Sequence, residues 1–182
     1  QTGLPLRVLD FLASLDEIVN AAIAERVDLV IFAGDAYKDR SPAPTFQREW
    51  GRRIIRLSKA GIRTLLLVGN QDLSPALGRA DAIQEFETLD IPHVTVLARP
   101  QFLPAGELGL PAQVIALPWV SRSGLIAASG EALGDSAEVF TEIETRLTQL
   151  VTGWLDDADP ALPVILTAHA SVQGAAYGSE RT

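Results

Sequence analysis

Thr64-Leu65-Leu66-Leu67-Val68-Gly69-Asn70-Gln71-Asp72 is the stretch that decides the fold. Five strand-forming residues in a row, closed by Gly-Asn, read as a strand buried on both faces that stops abruptly in a loop. The same grammar stands upstream in Asp28-Leu29-Val30-Ile31-Phe32-Ala33, closed by Gly34-Asp35. It stands again downstream in Val164-Ile165-Leu166-Thr167-Ala168, which delivers His169. All three runs are expected to be fully buried strands.

Helical periodicity fills the intervals. Val8, Leu12, Leu15, Val19 and Ala22 recur at spacings of three and four, so residues 6–25 read as an amphipathic helix. Pro42 and Pro44 lead into a second helix whose buried face is Phe46, Trp50, Ile54 and Leu57, ended by Gly61. A third helix is expected from about Ala80 to Leu89. Shorter strands are expected at His93 to Leu97, Phe102-Leu103 and Val114 to Leu117. Residues 136–156 form a long helix with Val139, Ile143, Leu147, Leu150 and Trp154 on one stripe. Helices alternating with apolar strands make an α/β protein. Its polar strand ends lie on the edge where open α/β sheets bind ligands.

Composition sets the bounds. The 182 residues, 47% of them hydrophobic, suffice for one substantial core in a single domain. The chain opens on Gln1 and holds no methionine, so it reads as one domain, 1–182, incomplete at both ends. Without cysteine it has neither disulfides nor thiolate metal sites, which fits the cytoplasm. No apolar run reaches membrane-span length. The net charge of −8 argues against this piece gripping DNA by itself, since phosphate binding is driven by basic side chains.

Asp35, Asn70 and His169 are the candidate site. Carboxylate, amide oxygen and imidazole together suit Mn²⁺, Fe²⁺ or Zn²⁺, and adjacent glycines permit a sharp turn and a close phosphate approach. Each residue alone has a plain structural reading. An Asp after a strand serves turns and caps, Gly-Asn is a turn dipeptide, and a strand-end His is often only a satisfied polar group. Order and spacing carry the argument. Asp39 and Asp72 flank the blocks, either orienting ligands or serving loops and caps. His93 reads as a surface or edge-strand residue. Arg48, Arg52, Arg53, Arg56 and Lys59 crowd one helix and read as a solvated face, with phosphate contact the alternative.

Gly34-Asp35-Ala36-Tyr37-Lys38-Asp39-Arg40-Ser41-Pro42 resembles the GD block of SbcD-type DNA exonucleases, a branch of the calcineurin-like metallophosphoesterases. Gly69-Asn70-Gln71-Asp72 is similar to their GNH(D/E) block, and His169-Ala170-Ser171-Val172-Gln173-Gly174 to their HxxxxG block. Leu117-Pro118-Trp119 sits where they carry a Leu-Pro-aromatic strand. The resemblance implies a sandwich of two mixed β-sheets flanked by helices. It implies two divalent ions, with Mn²⁺ the first choice, Asp35 as the bridging carboxylate, and Asn70 and His169 on the second ion. The implied activity is cleavage of DNA phosphodiesters in double-strand break and hairpin processing, with an SbcC-type SMC-like ATPase as partner. Dimerisation through helices near the active site also belongs to the family pattern. The family's opening DxH and closing GHxH blocks are expected outside Gln1 to Thr182, leaving at most one partial site here. Gln71 stands where the family has a catalytic histidine. An amide donates a hydrogen bond but transfers no proton at neutral pH, so impaired cleavage is expected. Two further readings stay open: a phosphoesterase for nucleotides or small phosphoesters, and a non-catalytic scaffold.

Overall fold

The computed structural model describes residues 5–38, 40–73, 83–120 and 136–171. Helix α1 (Leu6–Glu25) buries Leu12, Leu15, Val19 and Ala22, the stripe that its periodicity marks. Strand β1 (Leu29–Phe32) follows, then helix α2 (Pro44–Lys59). Proline opens α2, where its missing N–H costs nothing and its fixed φ favours the first turn. Trp50, Ile54 and Leu57 form its buried side, and Gly61 at φ 75° turns the chain into β2 (Arg63–Leu67).

Helix α3 occupies only Glu85–Thr88; residues 80–82 of the expected helix lie outside the described residues. Strands β3 (Val94–Leu97), β4 (Gln101–Leu103) and β5 (Gln113–Leu117) match the shorter apolar runs. A short helix α4 (Ala105–Leu108), bracketed by Pro104 and Gly109, was not expected from periodicity. Its single turn is too brief for a 3.6-residue pattern to register. Helix α5 (Ser136–Asp157) and strand β6 (Val164–Ala168) complete the order.

Two three-stranded sheets result. In the first, β1, β2 and β3 are all parallel, in that order, with helical crossovers α2 and α3. The second is mixed: β4 runs antiparallel to β5, and β5 parallel to β6. Alternation along β2 sorts the core. Leu65 and Leu67 pack with Leu97, Leu103, Val114 and Ala116 between the sheets. Leu66 and Val68 point the other way, into Trp50, Ile54, Tyr37 and Phe86. Each such side chain, wholly removed from water, contributes roughly 1.5–3 kcal/mol. The α/β sandwich with outer helices is the architecture the sequence implies, although among the described residues one of its two sheets is mixed and the other wholly parallel.

Only β2 of the three marker strands is fully buried. Strand β1 is half-buried throughout, and Val164, Ile165 and Leu166 of β6 are exposed. Among the described residues each is an outer strand of its sheet, with a neighbour on one side alone. An apolar run cannot distinguish that position from a central one.

The arginines of α2 are not a uniformly solvated face. Arg53 is only 11% exposed and pairs with both Asp16 of α1 and Glu49. Arg56 reaches Asp16 at 2.8 Å and also contacts Asn20. These bridges fasten α1 to α2 beside the apolar contact of Val19, Ala22, Leu57 and Ile62. Only Arg48 and Arg52 lie mostly in solvent.

Candidate metal centre

Three strand ends meet, although they come from two different sheets. The joint is made by β5. Trp119, just past its end, donates its N–H to the carbonyl of Val68 at 2.9 Å, linking the second sheet to the end of β2. His169 N donates to Leu117 O at 2.8 Å, which registers the end of β6 on β5. The chain ends carrying Asn70 and His169 are thereby brought side by side.

Asp35 enters from the loop after β1. Gly34 has φ 102° and Asp35 has φ 55°, a left-handed pair. Glycine is required at 34 for a second reason: an added Cβ would fall on the His169 ring. An added Cβ at Gly69 would likewise collide with the carboxylate and backbone nitrogen of Asp35. Both glycines are therefore needed for close approach of protein groups.

His169 Nε2 lies 3.0 Å from Asn70 Oδ1 and 3.5 Å from Asp35 Oδ1. Its Nδ1 lies 2.8 Å from the carbonyl oxygen of Ala33. A carbonyl only accepts, so Nδ1 carries a proton; Nε2 presents a lone pair in the neutral ring and donates to Asn70 Oδ1 in the imidazolium. Three electron-rich atoms thus converge: Nε2, Asn70 Oδ1 and Asp35 Oδ1. In the neutral ring none of the three is a donor, and the set fits a divalent metal. Among the described residues no three His, Cys, Asp or Glu side chains cluster; the third side chain here is an amide. The imidazole and the amide border an open cavity of about 400 Å³, lined also by Trp119, Ala168, Ala170 and Ser171. The Trp119 and His169 rings meet edge to face at 6.1 Å.

Beneath the centre lies Asp72, wholly buried. Its Oδ2 accepts the backbone N–H of Asp35 and of Gly69, both at 2.8 Å. In return Asp35 Oδ1 accepts the N–H of Gln71 at 2.9 Å. Burial pushes the Asp72 carboxyl above its ordinary range; the donors Gly69 and Asp35 offset part of that, and the Asp35 charge adds to the rise. Burial also raises the Tyr37 phenol, with the charges of Glu85 and Asp72 contributing.

Gln71 thus joins the centre through its backbone. Asp39 and residues 172–174 of the HxxxxG block lie outside the described residues. His93, at φ 64°, is an exposed turn residue immediately before β3. It stands at the opposite end of the parallel sheet from Asn70, as a surface reading requires. Sequence reasoning missed the Ala33 carbonyl that sets the tautomer, and no residue type announces such a backbone role.

The calcineurin-like phosphoesterase profile matches residues 9–181. The chain is similar to the SbcD subunit of the SbcCD nuclease of Escherichia coli K12, with 27% identity over 173 residues, 90% of this chain and 41% of that protein. The same figures hold for the SbcD subunit of Escherichia coli O157:H7. The DNA double-strand break repair protein Mre11 of Halobacterium salinarum is 37% identical over 89 residues, covering 48% of this chain and 22% of that one. The chain therefore spans about two fifths of the length of the SbcD proteins it matches. Among the described residues no helix is long and apolar enough to cross a membrane.

Proposed function

The chain belongs to the calcineurin-like phosphoesterase family, and from that premise we propose that it is the metal-bearing part of an SbcD-type nuclease. The reaction is hydrolysis of DNA phosphodiesters during double-strand break and hairpin processing, in the cytoplasm. The carrying observation is the convergence of Asp35, Asn70 and His169, with Nε2 within 3.0 Å of one oxygen and 3.5 Å of the other.

Asp35, Asn70 and His169 would hold a divalent cation, Mn²⁺ in the first instance. Such ions supply Lewis acidity to phosphoryl oxygens and the means to activate water. The protein's own part is positional. Ala33 fixes the imidazole tautomer, Gln71 N–H fixes the Asp35 carboxylate, and Trp119 closes one wall. Gln71 cannot relay a proton to the leaving oxygen. General acid catalysis contributes about 10²–10⁴-fold, and this chain forgoes it. The acidic net charge leaves duplex binding to the rest of the protein, a second copy, or an SbcC-type ATPase partner.

Gln71 also favours a second reading, a non-catalytic relative that keeps the fold as a scaffold. Gln71→His in the full-length protein separates the two, assayed on linear and hairpin DNA with Mn²⁺. The nuclease reading expects weak cutting by the unsubstituted protein and a gain of about 10²–10⁴-fold in the variant. Metal binding without cutting by either form supports the scaffold. Cleavage of nucleotides or small phosphodiesters but not of DNA supports a small-substrate phosphoesterase.

A further inference from the structure

Asp72 does not line the cavity, yet it touches both loops that supply the cation-facing oxygens. The turn Gly69-Asn70-Gln71-Asp72 closes with Asp72 N donating to Gly69 O at 3.3 Å, which folds the Asp72 side chain back beneath the end of β2. There Oδ2 takes the Gly69 N–H from its own loop and the Asp35 N–H from the loop after β1. Asp35 returns the contact by accepting Gln71 N–H. Two crossed bonds therefore lace one loop to the other. Asp35 sits at φ 55°, a conformation that side-chain-bearing residues hold only when their surroundings dictate it. The bond to its N–H is part of that constraint.

We propose that Asp72 is a positioning residue, a buried carboxylate whose one oxygen sets the separation and orientation of Asp35 and Asn70 for cation binding. This inference rests on the metal-site reading above. A carboxylate suits the task because a single oxygen accepts two N–H groups, and bonds to a charged acceptor are roughly twice as strong as neutral ones. Serine is too short to span both loops. Asparagine accepts the same two donors through a neutral oxygen, so it should hold the loops less firmly without releasing them. Groups that orient ligands without touching the metal commonly govern affinity by about 10–100-fold.

The test uses Asp72→Ala and Asp72→Asn in the full-length protein, with two readouts at a temperature where circular dichroism shows each variant folded. The first is metal-free amide exchange by NMR. Asp72→Ala should speed exchange of the Asp35 and Gly69 amides at least about tenfold while β5 amides keep their rates. The second is Mn²⁺ binding by calorimetry, where affinity should fall about 10–100-fold in Ala and by less in Asn. Unchanged affinity in folded Asp72→Ala overturns the proposal. So does a uniform rise in exchange through both sheets with Asn and Ala alike, the signature of a merely structural role. If the unsubstituted protein binds no Mn²⁺, the nuclease reading fails, and the exchange arm still judges Asp72: full protection of Asp35 and Gly69 in the Ala variant refutes it. Should Asp72→Ala not fold, Asp72→Asn carries both readouts, and affinity and exchange equal to the unsubstituted protein refute the proposal.

Discussion

Gly34→Ala tests the geometry of the centre most directly. Position 34 has φ 102°, where an L side chain is strained by about 1–3 kcal/mol. The new Cβ would also occupy the place of the His169 ring, so the ring must swing away. Doing so gives up the 2.8 Å contact between Nδ1 and Ala33 O, a net loss of about 1 kcal/mol. Together these predict a destabilisation of about 2–4 kcal/mol, or roughly 4–16 °C in Tm for a domain of this size. Urea unfolding in EDTA measures that loss without any metal contribution. Calorimetric titration with Mn²⁺ should then show affinity reduced at least about tenfold, because the imidazole no longer faces Asn70. A variant within about 0.5 kcal/mol of the parent and equal in affinity would refute the seating of His169 on Gly34.

Other substitutions probe the frame. Gly153 lies within α5 with nothing near an added Cβ, so Gly153→Ala should stabilise by about 0.5–1 kcal/mol in chemical denaturation. Arg53→Ala should cost about 1–3 kcal/mol by leaving Asp16 and Glu49 short of a partner, whereas Arg48→Ala, at an exposed pair, should change stability by under about 0.5 kcal/mol. Among the described residues the buried Tyr37 hydroxyl has no hydrogen-bond partner, so Tyr37→Phe should be neutral or stabilising at pH 7. The folded phenol titrates above its unfolded value near 10, so ionisation of the unfolded chain draws stability away as pH rises from about 10 toward the folded pKa. Thermal melts from pH 9 to 11.5 should accordingly fall less steeply for the Phe variant.

The elements with strong periodicity were legible in the sequence. Stripes such as Leu12-Leu15-Val19 and Trp50-Ile54-Leu57 lie where the chain buries them. Depth was less legible, since β1, β2 and β6 carry similar apolar runs yet differ in exposure, a property of sheet position. The identity of the site residues followed from strand-end chemistry. Their meeting did not, because it depends on the Trp119–Val68 bond between residues 51 positions apart. The tie through Asp72 was visible only as one of two open readings, since a buried acceptor and a helix or loop cap look alike in sequence. Arg53 was hidden for the opposite reason: a guanidinium on a charged helix gives no sign that a partner waits on α1.

Asn70 hangs from one layer of the sandwich and His169 from the other, so the gap between them works as a gauge of the spacing between layers. Interiors are packed too tightly to absorb a lost or added methylene without displacement. A change of girth at Leu103 or Val114, deep between the sheets, therefore reaches the centre as a change of aperture. Variation that alters the distance between Asn70 and His169 can therefore arise far from either residue, in the filling between the layers.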